Sequence, residues 1–239
     1  MLVSAAGTVF SDGPDVWMCA GQDDSYPPGC GVDVRLEGVS VADLPGAITA
    51  ATDPSVGDAA WAEAIRVVGT YDGTTINVTE PPTRADFGPR SYDFSVPCPP
   101  LAWASGAAAE QAVAYAQRQH TYAGHWRASR RDTFVVAFTA DLDEHRAALA
   151  DAAGAPLCIV GADYTRAELS EAQDAIGNDF RRWEEQGVAV RTVGSGELGN
   201  RVDVFAVWAD ESDREEFVRR YGDVVVLRSW ITPLDTGSE

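Results

Sequence analysis

His120, Tyr122, His125, Trp126 and Arg127 bring two imidazoles, a phenol, an indole and a guanidinium into one short stretch, with Arg130 and Arg131 close behind. Such a set can hold an anion, and an imidazole in it can act as a general base. The same residues also suit the end of a helix, where the macrodipole favours cations and an aromatic ring closes the packing. They are the candidate ligand-binding residues of the chain. The third histidine, His145, follows Glu144 early in an expected helix and reads as solvated.

No other stretch specifies a reaction, so no catalytic, cofactor or metal residue is assigned. Gly194-Ser195-Gly196-Glu197-Leu198-Gly199 matches the G-x-G-x-x-G string. A dinucleotide site needs those glycines to open a helix against the pyrophosphate, yet Asn200-Arg201-Val202 resumes a strand pattern at once. A hairpin loop is the expectation, and Ser195 lacks the strand-to-helix elbow of a hydrolase nucleophile. Asp12, Asp15, Asp23 and Asp24 do not form the EF-hand pattern and read as solvated surface. The histidines and cysteines are not at zinc-ligand spacings.

Cys19, Cys30, Cys98 and Cys158 allow three pairings. The loop between Cys19 and Cys30, GQDDSYPPG, can turn back through Pro27-Pro28-Gly29, which favours Cys19–Cys30 and leaves Cys98 for Cys158. Two disulfides predict an extracytoplasmic protein; four reduced thiols would mean a cytosolic one.

The 239 residues carry a formal charge of −19, and residues 1–80 hold only Arg35 and Arg66 against twelve acids. Such a surface repels phosphate backbones, so a nucleic-acid partner is not expected. No apolar run is long enough to span a membrane. No leader precedes the strand-like sequence after Met1, so an exported protein would have lost its leader, and any membrane tether, ahead of that residue.

The elements that must position these groups fall into α+β order. Residues 1–80 read as a small β-rich domain with strands over 3–10, 15–19, 31–38, 65–71 and 74–79 and an insert over 41–61. That pattern predicts an OB-like barrel. Asp72-Gly73 predicts a two-residue type I′ turn. The proline-dense segment 81–104 reads as a linker. Residues 105–239 read as a second domain that opens with a helix over 105–120.

Capping boxes are expected at Asp141/Glu144, Thr165/Glu168 and Ser212/Glu215. Leu169, Ala172, Ile176, Phe180 and Trp183 share one face of the longest helix. The order β-α-β-α-β-β-α-β from residue 133 predicts an open α/β sandwich of ferredoxin-like kind. At its centre, two strands over 188–193 and 202–207 flank the glycine-rich turn.

Trp17-x-Cys19 with Ser25-Tyr26-Pro27-Pro28-x-Cys30-Gly31, Asp93-Phe94-x-x-Pro97-Cys98-Pro99, and Val136-Ala137-Phe138-Thr139-x-Asp141-Leu142 with Pro156-Leu157-Cys158 resemble motifs of uncharacterised secreted proteins and lipoproteins of GC-rich bacteria. The resemblance covers most of the chain and implies export, with no activity to carry over. Gly199-Asn200-Arg201-Val202-x-Val204 and Tyr221-Gly222-Asp223-Val224-Val225 are similar to small α/β modules of bacterial protease pro-regions, and no catalytic residue transfers.

The expected function is therefore a non-catalytic envelope or secreted protein that binds a protein or a small ligand. The alternatives are a protease-associated inhibitor or folding module, and an enzyme with its site near His125 at the domain interface. They are separated by co-purification with an exported protease and by His125→Ala.

Overall fold

The computed structural model describes residues 1–22, 25–86, 98, 106–128, 133–153, 157–196 and 198–234. The chain divides into two compact units, Met1–Arg90 with Phe205–Ala209 and Arg228–Glu239, and Ser91–Val204 with Asp210–Leu227. The architecture is mixed α/β.

In the first unit, β1 (Leu2–Ser11), β2 (Val16–Gln22), β3 (Cys30–Glu37), β4 (Ala60–Tyr71) and β5 (Thr75–Val78) form a five-stranded barrel. The order is β1-β2-β3-β5-β4, and β4 closes onto β1 antiparallel from Leu2↔Thr70 to Ser11↔Ala60. β3 and β5 run parallel. Alternation in the strands sends Val3, Val9, Met18, Trp61, Ile65 and Ile76 into the interior, where each is almost wholly buried. Closure removes the free strand edges that an open sheet would leave. The insert between β3 and β4 holds two single helical turns, Val41–Asp43 and Pro54–Val56. A short β6 (Thr83–Arg84) lies against β4.

The β4–β5 hairpin forms with a different turn from the expected one. Tyr71 pairs with Ile76, Asp72 N–H donates to Thr75 O, and the turning pair is Gly73-Thr74. Only Gly73 has positive φ (109°), which suits a type II′ turn rather than I′. The cause is local: the Asp72 carboxylate accepts from the backbone N–H groups of Thr74 and Thr75 at 2.9 and 2.8 Å, committing Asp72 to the strand end.

In the second unit, α1 (Gly106–Ala116) is followed by β7 (Tyr122–Ala128), β8 (Thr133–Phe138), α2 (Leu142–Ala153) and β9 (Cys158–Gly161). β8 is central, antiparallel to β7 and parallel to β9, and every one of its residues is buried. Its apolar run TFVVAF reflects that position. Phe134, Val136 and Phe138 pack with alanines of α1 and with Leu149, while Val135 packs with Cys158 and Ala128 in a separate cluster. Gly124, at φ 152°, lies where the β7–β8 register shifts. That bulge and the lack of β-branched residues hide β7 from a pattern search.

Next come α3 (Arg166–Asn178), α4 (Phe180–Glu185), β10 (Val190–Gly196), β11 (Arg201–Ala206), α5 (Glu211–Tyr221) and β12 (Val225–Ser229). The Thr165/Glu168 capping box is formed in both directions. The other two boxes differ from expectation. Asp141 stands before α2 at φ 55°, not in the extended conformation of an N-cap. The box of α5 is Asp210/Asp213, two residues ahead of Ser212/Glu215. The expected long helix breaks at Asp179, so Leu169, Ile176 and Trp183 are buried while Phe180 turns outward.

β10, β11 and β12 make a three-stranded sheet, and β7, β8 and β9 another. Among the described residues no pairing joins them into the single sheet of a ferredoxin-like sandwich. The glycine-rich segment is a strand end and turn, with no helix N-terminus at Arg201–Ala206.

The final segment returns to the first unit. β13 (Thr232–Pro233) pairs antiparallel with β1, and Trp230 Nε1 donates to Ala6 O at 2.8 Å. The expected boundaries assign this segment to the second domain; the pairing of Val3 with Pro233 ties it to the barrel. Of the expected linker, residues 87–97 and 99–104 lie outside the described residues.

Candidate functional site

The sequence cluster is split by β7 into two groups. Alternation sends Trp126 to one face of the strand, where it packs against the cluster of Ala128, Val135 and Cys158. Its indole N–H is buried and has no hydrogen-bond partner among the described residues. Arg127 is exposed and sits 5.9 Å over the Phe134 ring. Neither lines the concavity that holds His120, Tyr122 and His125. Arg130 and Arg131 lie outside the described residues.

His120, Tyr122 and His125 do come together, in a concavity of about 460 Å³ that Gln117, Gln119, Arg166, Ala167 and Ser170 complete. α1 ends at Ala116, four residues before His120, so His120 stands on the turn into β7 rather than on the helix. β7 carries the buried Tyr122 and the half-buried His125, whose Nδ1 lies 2.6 Å from the Tyr122 hydroxyl. Arg166, Ala167 and Ser170 come from the first turns of α3, held in place by the Thr165/Glu168 capping box. Sequence reading missed these three. A capping box followed by a basic residue was visible, but nothing in one dimension joins it to residue 120.

Two acids flank Arg166 in the chain, and both are turned elsewhere. Asp163 pairs with Arg201 at 3.0 Å, and Glu168 Oε2 accepts from Thr165 N–H and Oγ1 at 2.8 Å. The arrangement can present N–H and O–H donors to a bound acceptor.

His145 is a correction. It is buried, stacked on Phe138 at 3.8 Å, with Nδ1 3.0 Å from the Tyr115 hydroxyl and Nε2 2.8 Å from Thr121 Oγ1. The helix face on which it stands looks into the core, so its two polar atoms are satisfied internally.

Cys19–Cys30 and Cys98–Cys158 are both disulfide-bonded, with Cα separations of 5.4 and 5.8 Å. Around the first, Ser25 Oγ donates to Pro27 O and accepts from Gly29 N–H, and the Tyr26 hydroxyl donates to Asp53 at 2.5 Å. Asp15 of the acidic loops pairs with Arg35 at 2.9 Å, while Asp23 and Asp24 lie outside the described residues. Among the described residues no group of three or more metal-binding side chains occurs, and no helix is long and apolar enough to cross a membrane.

A second concavity in the same unit, about 350 Å³, is lined by Tyr164, Glu168, Glu171, Arg220, Tyr221 and Asp223 among others. The segment Tyr221-Gly222-Asp223-Val224 borders it. Asn200 Oδ1 accepts from Asp163 N–H and Tyr164 N–H, and its Nδ2 donates to Tyr164 O. Those contacts make Asn200 a brace for the turn after β9.

Comparisons with protein-family models, with curated proteins and with solved structures returned no match.

Proposed function

We propose that the chain is a non-catalytic binding protein of an extracytoplasmic compartment, with its ligand site in the concavity at His120, Tyr122 and His125. One observation carries this: among the described residues, the wall of the concavity gathers two imidazoles, a phenol, two glutamine amides, a hydroxyl and a guanidinium, a set suited to holding a ligand. The Nδ1 of His125 lies against the Tyr122 phenol, so at that nitrogen the ring is oriented by a neutral group. Both disulfides support the compartment, since such bonds persist where the medium is oxidising. The net charge of −19 supports a ligand other than nucleic acid.

The barrel is read as OB-type, on the order β1-β2-β3-β5-β4 with β3 parallel to β5. The α/β unit is read as a relative of ferredoxin-like sandwiches, on its chain order of elements. Kinship with the secreted proteins of GC-rich bacteria is part of the same proposal, supported by the braced turn that Ser25-Tyr26-Pro27-Pro28 makes inside the first disulfide loop.

The test is thermal denaturation of oxidised protein against a broad panel of small molecules, with turnover followed in parallel. Saturable stabilisation without turnover supports the reading. Turnover abolished by His125→Ala would replace it with the enzyme alternative, and inhibition of an exported protease would replace it with the protease-associated one.

A further inference from the structure

We infer that the second concavity of this unit, walled by Tyr164, Glu171, Tyr221 and Asp223, takes a small organic cation such as an amine; this goes beyond the reading above and does not depend on it. The first argument is charge. Glu168, Glu171 and Asp223 line the concavity together with one guanidinium, that of Arg220. Arg220 is already paired: its Nε and Nη2 each lie 2.7 Å from Oδ2 of Asp179, a residue outside the wall. Arg201, which sits 4.7 Å over the Tyr164 ring, is paired with Asp163 at 3.0 Å. Both guanidinium groups thus have an acid of their own, and the wall keeps an excess of negative charge. A recess lined by one sign of charge focuses field toward an ion of the other.

The second argument is that the walls are set in advance. Asn200 accepts from Tyr164 N–H at 2.7 Å and donates to Tyr164 O at 2.8 Å, which fixes that residue on its turn. The Tyr164 hydroxyl donates to Oδ1 of Asp223 and so holds that carboxylate in place. The Tyr221 hydroxyl is held by Asp179 and Trp183. Groups ordered before a ligand arrives lower the cost of ordering on binding. α5 also ends at Tyr221, so the negative end of its dipole lies at this wall and favours a cation there.

The third argument is shape, which selects the kind of cation. A metal ion of this charge preference needs several oxygens converging at about 2.0–2.6 Å. Among the described residues no three acids gather closely enough to hold one. The acids instead stand apart, on α3 and after α5, around a floor of Ala172, Ala175 and Val224. Its volume of about 350 Å³ lies near the lower end of the range for small-molecule sites, roughly 300–1,000 Å³. An ammonium on a short carbon skeleton fits both features: the charged head meets Glu171 or Asp223, and the skeleton lies on the alanines and the tyrosine rings.

The experiment is calorimetric titration of the intact, oxidised protein at low salt with n-butylamine, cadaverine and choline. Benzoate serves as the anion control and calcium chloride as the metal control. Saturable binding of at least one organic cation, weakened about tenfold by Glu171→Gln and unchanged by Glu110→Gln, supports the site. Glu171 and Glu110 are both exposed, so the variants keep their melting temperatures, which are checked beside each titration. Amide NMR shifts on adding the cation are expected at residues 171–175 and 222–224. Amine-selective or choline-selective binding each supports the site and names the head group.

The absence of binding by any organic cation overturns the inference, as does equal binding of benzoate. Affinity that Glu171→Gln leaves unchanged, or that Glu110→Gln weakens equally, would assign the binding to the acidic surface at large and overturns it too. Calcium that displaces the amine and shares its loss in Glu171→Gln would make the concavity a metal site instead. Amide shifts confined to residues 120–125 would place the cation elsewhere. Each of these results leaves the reading at His120, Tyr122 and His125 to its own test.

Discussion

The hydroxyl of Tyr221 donates to Oδ2 of Asp179 at 2.7 Å, across the break between α3 and α4. The same hydroxyl accepts from Trp183 Nε1 at 2.8 Å, and Arg220 Nε donates to the same carboxylate oxygen at 2.7 Å. Trp183 in turn stacks on Phe217 at 3.9 Å. One carboxylate thus ties α5 to the short helix that follows the break. The Tyr221 hydrogen bond, more than Arg220, holds the Asp179 carboxyl below the usual carboxylate range.

A carboxylate with a depressed folded pKa contributes stability above its unfolded value, and that stability is lost as pH falls through the folded value. The window lies from about pH 4 downward. Asp179→Asn is expected to lower stability at pH 7 by about 1–2 kcal/mol and to flatten the acid limb of the stability profile. Urea denaturation from pH 7 to pH 2.5 checks both. An unchanged acid limb in the variant would show that other carboxylates govern it.

Asn200 combines a strained backbone with three side-chain hydrogen bonds. At φ 47° it lies in the left-handed region, which asparagine tolerates better than alanine. Asn200→Gly keeps the backbone and removes the bonds to Asp163 and Tyr164, at an expected cost of about 2 kcal/mol. Asn200→Ala loses both and is expected to cost about 1 kcal/mol more. Equal destabilisation by the two, measured by denaturant midpoints, would remove backbone strain from the account.

Parts of this fold were legible because short-range chemistry decides them. The Thr165/Glu168 box needs only residues three apart, and the apolar run of β8 announces a strand covered on both faces. The misreadings share a different cause. Asp141 adopts a left-handed conformation, while Asp72 shifts a turn and Asp210 caps α5 where Ser212 was equally plausible; in the last two, one acidic residue chooses among nearby N–H groups. His145 was misplaced because a helix with few apolar residues conceals which face looks inward. The candidate site was half visible. His120, Tyr122 and His125 are neighbours in the chain, but Arg166 joins them only through the packing of α3 beside β7.

His145 is expected to be a core residue first. His145→Leu leaves the Tyr115 and Thr121 hydroxyls without their imidazole partner in a buried setting, at a cost of about 2–4 kcal/mol. Thr121→Val in the same background should recover part of that loss, because it removes one of the stranded hydroxyls. A double-mutant cycle by thermal denaturation measures the coupling, and additive losses would contradict it.

The two disulfides close loops of different length, with sequence separations of 11 and 60. In the chain-entropy model they contribute about 3 and about 4 kcal/mol. The paired change Cys98→Ala with Cys158→Ala is therefore expected to lower stability more than Cys19→Ala with Cys30→Ala. Denaturant unfolding of the two double variants ranks them, and the reverse ranking would mean that native-state packing outweighs loop entropy.

Ala64 and Gly69 stand under opposite constraints within β4. Gly7 pairs with Ile65 and Val9 with Ala62, so Glu63 and Ala64 share the space opposite Thr8 as a bulge, and Ala64 is forced to φ 54°. A left-handed alanine costs about 1–2 kcal/mol, whereas glycine adopts that conformation freely. Glycine also loosens the unfolded chain by about 0.4–1 kcal/mol, which leaves a small net gain. Ala64→Gly is thus expected to raise stability by about 0.5 kcal/mol.

Gly69 has no positive φ, but a Cβ there would fall on the backbone carbonyl of Asn77 in β5, which cannot move without opening the barrel. Gly69→Ala is expected to cost more than about 2 kcal/mol, in the range of overpacked core positions. Chemical denaturation of both variants at a fixed pH gives the two signs directly. If Ala64→Gly destabilises as Gly69→Ala does, strand propensity rather than local conformation sets the outcome in β4.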